Sequence, residues 1–194
     1  MAATQQPQMG LTFEQVWAAL METREIVNRT QEQIEQMSAR VDRVTKNVGG
    51  LNRSMGELIE TLIAARLWEK FDPYPYNFRR AYPRIPLFDE NNQVLTDIDI
   101  LLSNGEYAMA VEVKASLHRQ DDVDSHLKRM ELIRKYPPAE CKGKKLLGAM
   151  AGGTVDPDVQ RYAQSAGFFV LELTGESVQL VEPPKGFEPR QWNI

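Results

Sequence analysis

Asp97-Ile98-Asp99-Ile100-Leu101-Leu102-Ser103-Asn104-Gly105-Glu106-Tyr107-Ala108-Met109-Ala110-Val111-Glu112-Val113-Lys114 decides how this chain folds. Two alternating runs flank Asn104-Gly105, and an Asn-Gly pair between such runs is the strongest short-range signal for a β-hairpin. With Asn104 and Gly105 as a two-residue turn, Ser103 pairs with Glu106. Asp97 then falls opposite Glu112, and Asp99 opposite Ala110. Opposed residues project to one face, and so do residues two apart. Asp97, Asp99, Glu112 and Lys114 are therefore expected on one face. Ile98, Ile100, Val111 and Val113 are expected on the other, packed into the core.

Carboxylates gathered this closely raise one another's pKa unless a cation sits among them. A hard divalent ion such as Mg2+ or Mn2+ answers that need because it prefers oxygen ligands. Lys114 adds a fixed positive charge that can hold an attacking water or stabilise developing negative charge. Ala108 and Ala110 leave the face unobstructed. An isolated Asp-x-Asp or Glu-x-Lys is usually a solvated strand face. Here both stand in register across one turn, which points to a site.

Outward from the hairpin, the pattern predicts a first strand over 77–88, interrupted by Pro83 and Pro86, then strands over 93–103 and 106–115. A helix is expected over 121–136, capped by Asp121 or Asp122 and stopped by Pro137-Pro138. A strand at 146–151, a helix at 157–166 and strands at 168–174 and 177–181 complete an α/β sheet domain. Gly152-Gly153 lacks the Lys-Ser/Thr of a phosphate loop, so it is expected to be a strand end. Upstream, residues 13–62 carry a seven-residue repeat. One core position is Phe13, Leu20, Val27, Ile34, Val41, Val48, Met55 and Leu62. The other is Val16, Thr23, Thr30, Met37, Val44, Leu51 and Leu58. Such a repeat buries a narrow seam against partner helices. The expected organisation is a disordered tail over 1–12, a coiled-coil stalk over 13–50 that makes a homo-oligomer, and a domain over 51–194. Gly49-Gly50 would be a hinge, and Asp72-Pro73-Tyr74-Pro75 would end the helix.

The Asp97-Ile98-Asp99-Ile100-Leu101 and Val111-Glu112-Val113-Lys114 runs, in this order of elements, resemble the PD-(D/E)XK nuclease superfamily. The RecB-type and archaeal Holliday-junction-resolvase-type branches are the most similar. The resemblance spans about 51–174 and extends to Gly56-Glu57 in the helix and the Gly148-Ala149-Met150-Ala151-Gly152 strand. It implies a restriction-endonuclease-like αβββαβ core and a Mg2+- or Mn2+-dependent nuclease acting on nucleic acid, DNA above all. Asp99 and Glu112 would be metal ligands and Lys114 the catalytic lysine. Glu57 would complete the metal site, with the Val113 carbonyl as an extra ligand. Asp97 and Gln120 would be auxiliary. The proline that the family places before its main aspartate is absent here.

Composition is that of a globular protein, with 42% hydrophobic and 26% charged residues. A single cysteine, Cys141, rules out a disulfide framework and a cysteine-based zinc site. With no signal-like start and no membrane-length apolar run, the expected compartment is the cytoplasm and no membrane partner is expected. The net charge is −4, yet residues 114–145 hold nine Lys/Arg against five Asp/Glu. Arg79 and Arg80 among Tyr76, Phe78 and Tyr82, and Arg119, Lys128 and Arg129 near the following helix, are candidate contacts to a nucleic-acid backbone and its bases. His118 and His126 are expected to be solvated surface residues. A silent scaffold built around the coiled coil, or a DNA-binding module without hydrolysis, is the alternative function. Light scattering tests the stalk. The full chain should run as a multiple of 22.1 kDa, and a chain beginning at Leu51 should be monomeric.

Overall fold

The computed structural model describes residues 12–175 and 177–194. The expected tail over 1–12 lies, apart from Thr12, outside them. The chain divides into two compact units, Met1–Asn52 and Arg53–Ile194.

Helix α1 runs over Phe13–Ala64 and begins at a reciprocal cap. The Thr12 amide donates to Gln15 Oε1 at 3.0 Å, and the Gln15 amide donates to Thr12 Oγ1 at 3.3 Å. The apolar seam residues along α1 are exposed, from Phe13 to Leu62. Gly49 and Gly50 do not interrupt the helix. It also stops earlier than the prolines at 73 and 75 suggest. Arg66 adopts φ 57°, a left-handed conformation that ends α1 and leads into a short 3-10 helix, Leu67–Phe71.

Strands β1 (Arg80–Phe88), β2 (Val94–Ser103) and β3 (Tyr107–Lys114) come next, then helix α2 (Gln120–Lys135). They are followed by β4 (Lys145–Gly152), α3 (Pro157–Ser165), β5 (Phe169–Thr174), β6 (Ser177–Leu180) and β7 (Trp192–Asn193). The sheet order is β1-β2-β3-β4-β5-β6, with β7 beside β4. Pairing is antiparallel from β1 to β3, parallel from β3 through β4 to β5, and antiparallel again to β6. The parallel pairs need crossovers, which α2 and α3 supply. The result is a mixed α/β fold with a mixed sheet and a long N-terminal helix. The N-cap of α2 is Arg119 rather than an aspartate, and Asp121 and Asp122 lie in the first turn. There their charge favours the helix dipole. Asp156 caps α3 through the amides of Asp158 and Val159.

The hairpin register differs from expectation. Ser103 faces Ala108 and Ile100 faces Val111. Gly105 and Glu106 are the central turn residues, closed by the Asn104 amide donating to the Tyr107 carbonyl at 3.0 Å. The Asn104 side chain explains the shift. Its Oδ1 accepts from the amides of Glu106 at 2.8 Å and Tyr107 at 2.6 Å, an Asx-type turn that moves asparagine to the position before the bend.

Apolar side chains cover both faces of the sheet. Leu101, Ala110, Leu146, Met150 and Val170 pack with Val123, Met130 and Ile133 of α2. Ile100, Leu102, Met109, Val111 and Leu171 pack on the other face with Ile63, Leu67, Phe71 and Phe169. Phe71 meets Phe169 edge-on at 5.4 Å and Phe78 at 5.7 Å, geometries that aromatic quadrupoles favour. Ile98 and Ile100 lie in different clusters, so the alternation of β2 breaks at Asp99. Gly148 permits the close approach of Phe168, whose Cε1 would lie 2.4 Å from an added Cβ. Gly148→Ala should therefore lower the urea unfolding free energy by about 1–3 kcal/mol. Gly105→Ala, which meets nothing within 4 Å, should stay within about 0.5 kcal/mol of the parent.

Candidate functional site

The β2–β3 ladder ends at Ile100↔Val111, so Asp99 and Glu112 are the next residues beyond it. The two strands separate there. Asp99 reaches into the gap, and its Oδ2 accepts from the Val113 amide at 2.7 Å. On the β1 side, Arg84 falls between the pairs Pro83↔Ile100 and Ile85↔Ile98 and takes φ 48°. A break in alternation and a left-handed partner residue together re-aim the Asp99 side chain, the usual effect of a local strand irregularity.

Asp99 lines a cleft of about 600 Å3 together with Glu57, Glu60, Thr61, Pro83, Arg84 and others. Arg84 donates through Nε at 3.0 Å and Nη2 at 2.9 Å to Glu60 Oε2, and stands 4.0 Å from Glu57 Oε1. The Glu60 hydrogen bond and charge raise the Arg84 pKa above its ordinary value.

Glu112 is directed toward α2. Its side chain is only 5% exposed, and Lys114 Nζ lies 2.7 Å from its Oε1. Arg129 presses against Oε2, and His126 Nδ1 stands 3.9 Å from the same atom. His126 is buried, contrary to the expected surface position, and its ring centroid lies 4.8 Å from that of Phe168. The backbone of Ala110 and Ala149 lies beside the ring, but neither ring nitrogen completes a hydrogen bond. Burial, aided by the Lys114 charge, pushes the His126 pKa down to about 4 and keeps the ring neutral. The signal in the sequence was the spacing of Val123, His126, Met130 and Ile133, which marks one helix face turned inward.

The arrangement corrects several expectations. A common face for the acids and lysine holds only for Glu112 and Lys114. Asp97 is exposed and pairs with Pro86 on β1; it lies beyond the break in alternation at Asp99. Glu57, Asp99 and Glu112 are not gathered into one group, and among the described residues no set of three or more potential ligands is. Asp99 is drawn to an amide, Glu112 to two cations, and Glu57 stands across the cleft by Arg84. Arg129 turns to Glu112 rather than to an open face. Tyr76 and Phe78 are buried against Phe71 and Phe169, so they offer no ring to a base. Arg119 pairs with Asp122 at 3.3 Å. Gln120 and Lys128 are exposed on α2, and His118 lies 3.2 Å from Thr154 Oγ1.

No family model matches the chain, and no curated protein sequence matches it. Among solved structures it is similar to the small subunit of the heterodimeric restriction endonuclease R.BspD6I, at a TM-score of 0.33 and 14% identity. The match covers 62% of this chain and 72% of that one. This likeness is slight. No helix among the described residues is long and apolar enough to cross a membrane.

The neutral, buried His126 has a measurable consequence. Below its ordinary pKa of 6.5 the unfolded chain takes up a proton that the folded chain refuses until about pH 4. This group's share of stability is therefore intact above 6.5 and falls as pH drops, by on the order of 3 kcal/mol in all. Urea unfolding at pH 7 and at pH 4.5 should show a shallower loss for His126→Leu than for the parent.

Proposed function

We propose that the chain is a divalent-metal-dependent phosphodiesterase that acts on nucleic acid, DNA first, from a restriction-endonuclease-like core. The observation that carries this reading is the end of the β2–β3 ladder at Ile100↔Val111, next to which stand Asp99, bonded to the Val113 amide, and Glu112, ion-paired with Lys114. The element order helix, three strands, helix, strand accords with it. The donor chemistry suits a hard cation. Glu112 is a buried carboxylate, and the cations Lys114 and Arg129 held against it mark a place where positive charge belongs. To hold one ion, Asp99, Glu112 and Glu57 would have to turn from the partners they have here, the Val113 amide, Lys114 with Arg129, and Arg84 across the cleft, with the Val113 carbonyl as a further ligand. A bound Mg2+ or Mn2+ supplies Lewis acidity to the phosphate and lowers the pKa of a water.

Lys114, 36% exposed, reaches solvent from the strand end and can orient a water or balance charge on the phosphate. Glu112 fixes the Lys114 ammonium in place. Arg129, 22% exposed, can pass its charge from Glu112 to a substrate phosphate, since guanidinium binds both groups in the same geometry. The exposed seam of α1 supports assembly with further copies, which would bring several sites to one substrate.

A nucleic-acid-binding domain without hydrolysis is the second reading. It is favoured by the pairing of Glu112 with both Lys114 and Arg129, the pattern of a structural ion pair. Plasmid cleavage in Mg2+ or Mn2+ separates the two. Lys114→Ala should cut at least about 100-fold more slowly, and Glu112→Ala should lose the metal binding seen by calorimetry. Equal cutting by parent and Lys114→Ala, or no metal uptake, would refute the enzyme.

A further inference from the structure

We infer that the hairpin end of the sheet carries a second phosphate-binding pocket, formed by Arg79, Arg80 and Lys144 around the β2–β3 turn. Its occupant would be a backbone phosphate of the same bound nucleic acid, so this inference rests on a nucleic-acid partner.

The pocket encloses about 420 Å3 and is lined by Arg79, Arg80, Ser103, Asn104, Gly105 and Lys144. Three cations meet there, and none forms an ion pair among the described residues. Among the described residues no acid lines the cavity. The neighbouring acid, Glu106, is already held by Lys145 at 2.9 Å. Like charges brought together without a counter-charge repel, and an anion removes that cost.

Three separate segments hold the pocket in shape. The Arg79 amide donates to the Ser103 carbonyl at 3.2 Å, which fastens the approach to β1 onto the end of β2. The Asn104 side-chain amide donates to the Tyr76 carbonyl, tying the turn to the same approach. Lys144 Nζ donates to Ser103 Oγ at 3.1 Å, so the lysine leans over the turn instead of waving in solvent. Ser103 is itself 2% exposed, a buried hydroxyl that fixes the lysine's direction. The remaining ammonium protons and two guanidinium groups are suited to the two non-bridging oxygens of a backbone phosphate.

The position also fits. Ser103 stands four residues along β2 from Asp99, about 13 Å at the usual rise of a strand. A nucleic-acid strand places a phosphate about every 3.4 Å of its axis. The pocket would therefore engage a backbone phosphate a few nucleotides from the one at Asp99. Cations at that remove set register and orientation without touching the reacting group.

Fluorescence anisotropy with a labelled DNA duplex, at several KCl concentrations and without divalent metal, tests this in the Lys114→Ala background so that nothing is cut. Adding Arg80→Gln or Lys144→Ala should weaken binding about tenfold at 0.1 M salt and flatten the log–log salt slope by about one. Lys185→Ala, a remote exposed lysine, should change neither. Arg80 is exposed and, among the described residues, donates no hydrogen bond from its side chain, so its variant guards against a folding defect in the Lys144 variant. An unchanged slope with both variants would overturn the pocket, even if the parent cuts DNA. A flattened slope in a parent that does not cut would uphold the pocket and sink the enzyme. DNA binding absent from the Lys114→Ala chain would overturn the pocket.

Discussion

Strand β3 has no free side. It pairs antiparallel with β2 and parallel with β4, and apolar side chains cover both faces of the sheet around it. A charge on such a strand is costly to remove from water, yet Glu112 sits there almost fully buried. Attraction between Glu112 and its cations must repay that cost, because a buried carboxylate without partners destabilises a fold by several kcal/mol. Lys114 and Arg129 provide them from β3 itself and from α2. Helix α2 packs over the small residues Ala108 and Ala110 and brings Arg129 and the inward-turned His126 to this one group. Replacing it by an apolar side chain would spare the cost. That the strand carries glutamate instead is the physical reason to look for chemistry at this point.

Much of the fold was legible in the sequence because alternation, proline and turn chemistry act locally. The strands at 80–88, 94–103, 107–114, 145–152 and 169–174 lie within a few residues of their expected positions. The seven-residue repeat marked α1. Contacts set by distant residues were not legible. Strand β7 is two residues long and pairs with β4 through Trp192, far from any local signal. The 3-10 helix depends on a left-handed Arg66, a conformation that no arginine announces.

The site shows the same division. Glu112 and Lys114 were legible as a pair because two positions along a strand always share a face. Asp99 was legible as a residue but not as a geometry. Asn-Gly signals a turn at 104–105, and the asparagine instead used its side chain to accept two amides, placing the bend one residue later. Parity survived that shift, since each strand moved by a single position. What removed Asp99 from the common face was the break at Ile98–Ile100, matched by Arg84 across the ladder. Arg129 and His126 were candidates on charge and chemistry. Their direction depended on how α2 rolls against the sheet, which only packing decides.

Strand β1 forms one border of the sheet and carries Pro83 and Pro86. A border strand normally offers amide groups on which a foreign strand can grow, and proline has none to give. Arg84 between them adds a charge and a kink. Growth of the sheet from copy to copy is thereby discouraged on that border. For the assembly through α1 proposed above, closing that route matters, since strand-to-strand stacking propagates without limit whereas a helical bundle is complete at a fixed number.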